Sequence, residues 1–184
     1  MKRPFRHAAC LAALALTTAC GPVPSNYYAP QAASGRPLPR QHGAGADFET
    51  DGAYQLSAGP AKVDLEIDAD ADGRATGLFL RVHIPAGSMS GFARDSLALT
   101  ANGTTASVKF PFSLSGQPFD AGAAAAPALG TGVMSWKANI ALPPSDARVY
   151  VVQLPDLVVD GVAHALPVVK FTATRGWAWY PTSA

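Results

Sequence analysis

The sequence predicts an all-β protein, an antiparallel β-sandwich, on three observations. Apolar and polar residues alternate with a period near two through most of the chain after Asp47, the pattern of strands with one buried face. Turn dipeptides separate the alternating runs: Asp51-Gly52, Asp72-Gly73, Asn102-Gly103 and Asp160-Gly161. These residue types tolerate the positive φ that type I′ hairpins require. Helical signals are short: Ala121 to Ala126 is interrupted by Gly122 and closed by Pro127, which leaves room for a turn or so.

The chain opens on a basic start with Lys2, Arg3 and Arg6, followed by an apolar run from Ala8 to Ala19 that ends at Cys20. The run is 12 residues long, short of the ~20 a spanning helix needs. A basic start, a short apolar stretch and a small residue before the cut are the layout of a secretory signal peptide. Residues 1–19 are therefore expected to be removed.

Residues 20–46 read as a tether. Gly21 to Ala46 carries five prolines and no periodic apolar run, a composition that favours flexible or polyproline II chain. A coil of that length reaches roughly 28 Å root-mean-square. Tyr27 and Tyr28 are expected to be solvated there, with contact to a membrane interface as the alternative.

Residues 47–184 form the predicted sandwich domain. Lys62 to Asp68 places Val63, Leu65 and Ile67 on one face, with Lys62, Asp64, Glu66 and Asp68 on the other. Leu78, Leu80, Val82 and Ile84 alternate with Phe79, Arg81 and His83. Leu97 to Phe110 folds over Asn102-Gly103, so that Ala101 faces Thr104, Leu99 faces Ala106 and Leu97 faces Val108. Val133 to Leu142 turns Met134, Trp136, Ala138, Ile140 and Leu142 inward. Arg148 to Leu154 is an apolar strand, Leu157 to Leu166 folds over Asp160-Gly161, and Val168 to Tyr180 closes the chain.

Composition excludes some functions. Three of the 14 basic residues precede Cys20, leaving 11 against 13 acidic ones, a net charge of about −2. That is the wrong sign for a nucleic-acid binder. The two cysteines are Cys10, inside the part removed, and Cys20. The mature chain thus keeps one thiol and no internal disulfide, and its stability must come from burial.

Nucleophile signatures fail: Gly87 to Gly91 reads GSMSG, with Met89 where a nucleophile elbow needs serine. His42, His83 and His164 are far apart in sequence and reach one site only if the fold joins them. The expectation is a protein without catalytic residues. Trp177 and Trp179 share one strand face near the end of the chain. They serve either as core packing or as an exposed platform for a glycan or protein partner.

Two stretches carry resemblances. The end of the leader, Leu16 to Gly21, resembles the lipobox of bacterial lipoproteins, although Thr17 stands where leucine is usual. The resemblance implies lipid attachment at Cys20. With Gly21 rather than Asp after it, it also implies an outer-membrane anchor with the domain in the periplasm. Asp68 to Gly73, DADADG, resembles the opening of an EF-hand loop, with Asp68, Asp70 and Asp72 at places one, three and five and Gly73 at six. Place twelve is Phe79, not a bidentate glutamate, so the resemblance implies at most a weak calcium site; no other cofactor is expected. The strand layout as a whole is similar to bacterial immunoglobulin-like domains by pattern, without their Cys…Trp…Cys spacing.

Together these readings predict a non-catalytic envelope lipoprotein that binds or scaffolds another envelope component, protein or glycan. An inhibitor or immunity-type lipoprotein acting on an envelope-targeting enzyme is the first alternative. An envelope hydrolase with dispersed residues is the second.

Overall fold

Alternation and turn chemistry produce fourteen strands in the computed structural model, which describes residues 22–39, 52–110, 126–127, 133–142 and 145–179. Every strand pairing is antiparallel, and no described residue is helical. In chain order the strands are β1 (Pro22–Ala32), β2 (Arg36–Leu38), β3 (Ala53–Ala58), β4 (Ala61–Ala69), β5 (Ala75–Pro85), β6 (Ser90–Phe92) and β7 (Ser96–Ala101). There follow β8 (Thr104–Lys109), β9 (Ala126–Pro127), β10 (Val133–Ala141), β11 (Val149–Gln153), β12 (Leu157–Val159), β13 (Val162–His164) and β14 (Val169–Trp179).

A five-stranded sheet runs β1-β14-β11-β7-β8 and a six-stranded sheet β2-β3-β4-β5-β10-β9, with a small third sheet, β13-β12-β6, beside them. The two large sheets share one buried cluster. From the first come Tyr28, Leu97, Leu99, Tyr150, Val152, Val169 and Phe171; from the second come Leu56, Val63, Leu65, Ile67, Leu78, Leu80, Val82 and Trp136. Trp136, Ala138, Ile140 and Leu142 are buried as the alternation requires, while the side chain of Met134 lies outside the described residues.

The hairpins explain the register. Asn102 and Asp160 both have φ of 50°, followed by Gly103 at 76° and Gly161 at 82°, which is the positive-φ pair of a type I′ turn. The pairs Ala101↔Thr104, Leu99↔Ala106 and Leu97↔Val108 follow from the first, and Val159↔Val162 from the second. A further two-residue turn, Gly59-Pro60, joins β3 to β4. Asp72-Gly73 is different: the ladder shifts between Asp68 and Ala69, and Ala69 pairs with Ala75. The bulge widens this connection to five residues, 70–74. Asp51 lies outside the described residues, as does the turn expected around it.

The expected tether is where the structure departs most from the sequence reading. Residues 22–32 are a strand paired with β14 over its whole length, from Pro22↔Trp179 to Ala32↔Val169. Residues 36–38 pair with β3. The chain crosses from one large sheet to the other at Gly35, where φ is 120° and an added Cβ would lie 2.5 Å from the Gln55 carbonyl oxygen. The five prolines do not forbid this. In an antiparallel ladder alternate residues direct their N–H groups to the same side. Pro22, Pro24 and Pro30 share one parity, so a strand at the sheet edge can turn all three away from its partner. Tyr28, expected to be solvated or at a membrane, is 1% exposed in the core.

Candidate functional site

Three places on the described surface carry chemistry: the acidic tip between β4 and β5, a polar row on the outer face of the six-stranded sheet, and the β8 edge.

At the tip, protein groups meet the acceptors that a calcium ion would use. The Asp70 carboxylate accepts from the Arg74 backbone N–H at 2.8 Å, and Asp72 pairs with the Arg74 guanidinium at 3.7 Å. The Ala71 carbonyl accepts from Asn26 Nδ2 at 3.0 Å, and the Gly73 carbonyl lies 3.2 Å from the Tyr28 hydroxyl. Among the described residues, Asp68, Asp70 and Asp72 do not form a group placed to share a metal ion. The tip instead forms one wall of a cleft of about 630 Å³ between β1, β14 and the 145–148 segment, lined among others by Asn26, Arg74, Asp146, Arg148 and Arg175. Arg74 also reaches Asp146 at 3.4 Å. The cleft is therefore mixed in charge, with Arg74 facing two of its carboxylates, Asp72 and Asp146.

The polar row follows from register. Arg36, Gln55, Asp64, Arg81 and Lys137 lie side by side across β2, β3, β4, β5 and β10. A chain of hydrogen bonds runs along it. Arg36 Nε donates to Gln55 Oε1 at 3.0 Å, and Gln55 Nε2 donates to Asp64 Oδ1 at 2.8 Å. Asp64 Oδ2 lies 2.7 Å from His83 Nε2. Asp64 is 3% exposed and Glu66 1%, so the polar alternates of β4 do not all face water. The outer face is itself covered here: Ala53 and Phe79, which flank Glu66 in the ladder, are buried too. A buried carboxylate is tolerated only when its oxygens find donors, and Gln55 and His83 supply them. Arg81 lies over the Phe79 ring at 5.4 Å. Ser135 is the register partner of His83 on the neighbouring strand.

His164 does not join this group. It lies on β13 in the third sheet, packed against Gly59, where an added Cβ would collide with its ring. His42 lies outside the described residues, as does Cys20. The GSMSG segment runs from the β5–β6 turn into β6; Met89 is exposed and Ser90 buried. Trp177 and Trp179 are the register partners of Pro24 and Pro22 near the start of β1.

The β8 edge is the feature the sequence reading missed. Each large sheet has two outer strands. On the six-stranded sheet, β2 contains Pro37 and β9 contains Pro127; on the five-stranded sheet, β1 contains three prolines. β8 contains none, and its six residues, Thr104 to Lys109, are exposed except for half-buried Val108. The type I′ turn makes Ala101 and Thr104 a hydrogen-bonded pair. It follows that Thr105, Ser107 and Lys109 direct their N–H and C=O groups away from β7. An unblocked edge of this kind is a template for another strand. The signal was present in the sequence as the placing of prolines, four of them within 22–37 and none within 104–109.

Comparison with protein-family models, with curated proteins and with solved structures finds no match to this chain.

Proposed function

We propose that this protein is an envelope lipoprotein, anchored through Cys20 in the outer membrane and facing the periplasm, whose immunoglobulin-like sandwich holds another envelope component without chemistry. The observation that carries the binding role is the β8 edge. Three outward N–H groups and three outward carbonyls stand in a row on side chains that are small or polar. An extended segment of a partner protein adding to that edge gains main-chain hydrogen bonds without rearrangement of the sandwich.

The test places a photo-activatable residue at Thr105 in living cells, and at Pro24 as a control on the opposite edge of the same sheet. The expected result is a protein adduct from position 105 that Ser107→Pro removes. Proline at 107 deletes an outward donor but no bond to β7. An equal adduct from position 24, or one indifferent to Ser107→Pro, contradicts the reading.

A second reading, an envelope hydrolase, has one observation in its favour: Asp64, His83 and Ser135 occupy neighbouring positions on one sheet face. Against it, Ser135 sits within a regular ladder, where backbone donors serve strand pairing rather than an oxyanion. Hydrolysis of activated esters that Ser135→Ala abolishes would establish it.

A further inference from the structure

We infer that the start of β1 and the end of β14 rest directly on the bilayer, with the segment carrying Trp177 and Trp179 in the headgroup interface. This rests on the reading of Cys20 as the lipid anchor.

The argument begins with chain length. Cys20 precedes the first paired residue, Pro22, by two residues, and a trans chain spans at most ~3.6 Å per residue. The anchor therefore lies within roughly 7 Å of Pro22. A coil reaching 28 Å, as the composition suggested, is not what separates lipid from domain. Register then says which residues stand beside the anchor. Pro22 pairs with Trp179 and Pro24 with Trp177. Proline keeps these positions out of the bonded pairs of the ladder, and in the other kind the Cα atoms are only ~4.5 Å apart. Trp179 is thus carried to within about 12 Å of the anchored cysteine, and Trp177 one strand repeat of ~7 Å higher.

Tryptophan concentrates where hydrocarbon gives way to headgroups. Two of the three tryptophans of the chain are delivered to that level by strand pairing alone. Arg175, opposite Asn26, stands four residues above Trp179, ~13 Å further from the anchor. There it borders the cleft with Arg148 and with Arg74, while Asp72 and Asp146 line the same cleft. The opposing charges at that level cancel much of any pull toward anionic lipid, so the aromatic end and the anchor, rather than charge, hold the contact.

The full chain, processed in cells and purified in detergent, is reconstituted into phosphatidylethanolamine–phosphatidylglycerol vesicles whose acyl chains carry bromine, a short-range quencher of tryptophan. Labelled fatty acid reports the anchor separately. With Trp136→Phe, emission from Trp177 and Trp179 should fall at least twofold relative to unbrominated vesicles. With Trp177→Phe/Trp179→Phe, the emission of buried Trp136 should change by less than a fifth. If Trp136→Phe perturbs folding, the difference between wild type and the double variant reads the same quantity. Labelled protein with no more quenching than the double variant overturns the docking and leaves the anchor standing. Protein without label overturns both.

Discussion

The two edges of the five-stranded sheet solve the same problem in opposite ways. β1 and β8 are both outer strands, and among the described residues each presents backbone groups that no neighbouring strand satisfies. β1 removes donors with Pro22, Pro24 and Pro30 and is fastened to the rest of the molecule by its side chains. Asn26 donates to the Ala71 carbonyl, and the one Tyr28 hydroxyl lies between the Gly73 and Ala147 carbonyls at 3.2 and 3.1 Å. Among the described residues β8 has no such device: beyond the ladder, the Thr100 and Thr105 hydroxyls meet at 2.7 Å, and Lys109 reaches Asp95 at 3.9 Å on an exposed surface. The lesson is that a strand rich in proline is not thereby a linker. Proline of one parity protects an edge, and the edge without it is the one left for a partner.

That contrast can be broken first at the buried side chains. Tyr28→Ala should cost about 3–5 kcal/mol, the range for truncating a large buried aromatic, because it empties the space against Tyr150, whose ring it meets edge-on at 5.4 Å. Thr105→Ala on β8 should cost about 1 kcal/mol or less. Urea denaturation of the two variants checks the pair, and equal losses would undo the distinction. Trp136→Ala, at a buried position of the opposite sheet, should match Tyr28→Ala and so calibrates the scale.

The turns sharpen it next. Gly35 lies at the corner after β1 and Gly103 at the turn before β8, and both have positive φ. Gly103→Ala meets open space and should cost about 1–2 kcal/mol for the left-handed backbone alone. Gly35→Ala adds a clash with main chain to its strain, so its thermal midpoint should fall well below that of Gly103→Ala. Similar midpoints would mean that the corner yields more easily than its packing suggests.

Smaller effects separate the hydroxyls. Tyr28→Phe should cost about 1 kcal/mol, the usual net worth of a hydrogen bond. Tyr150→Phe should be neutral or slightly stabilising, since the buried Tyr150 hydroxyl finds no hydrogen-bond partner among the described residues. Burial, and after it the neighbouring Tyr150, raises the Tyr28 phenol above its ordinary value of 10.0. The folded state therefore keeps a proton that the unfolded chain releases. The contribution is fully present below pH ~10 and is lost as pH rises beyond it. Denaturation followed from pH 9 to 11 should show a loss of stability that Tyr28→Phe reduces. The smallest effect is expected from calcium. Because Arg74, Asn26 and Tyr28 already serve the tip, melting in ~10 mM calcium should match EDTA within a degree, whereas a rise of several degrees would restore the calcium-loop reading.

Much of this was legible in the sequence, and the exceptions share a cause. Val63, Leu65 and Ile67 or Trp136, Ala138 and Ile140 announce strands because alternation and burial coincide there. Asn102-Gly103 fixes its own register through φ. Alternation cannot say whether a polar face stays wet: Asp64 and Glu66 stand on the polar side of their strand, yet both are buried. Composition cannot say whether prolines share a parity that a sheet edge accepts, so by composition alone β1 reads as tether. The Asp64–His83 contact joins residues 19 apart through strand pairing, and no local motif marks it. The β8 edge needs the strand order, since only that order shows which strand has one neighbour.

Amide hydrogen exchange resolved by residue on β1 and β8 tests the central contrast most directly. In the purified protein, Val23, Ser25, Tyr27, Ala29 and Gln31, which turn toward β14, should be protected to an extent comparable with the β14 core. Thr105, Ser107 and Lys109 should exchange at close to the rate of open chain. Fast exchange throughout 22–32, or protection of the three outward amides of β8 in the isolated domain, would contradict the account.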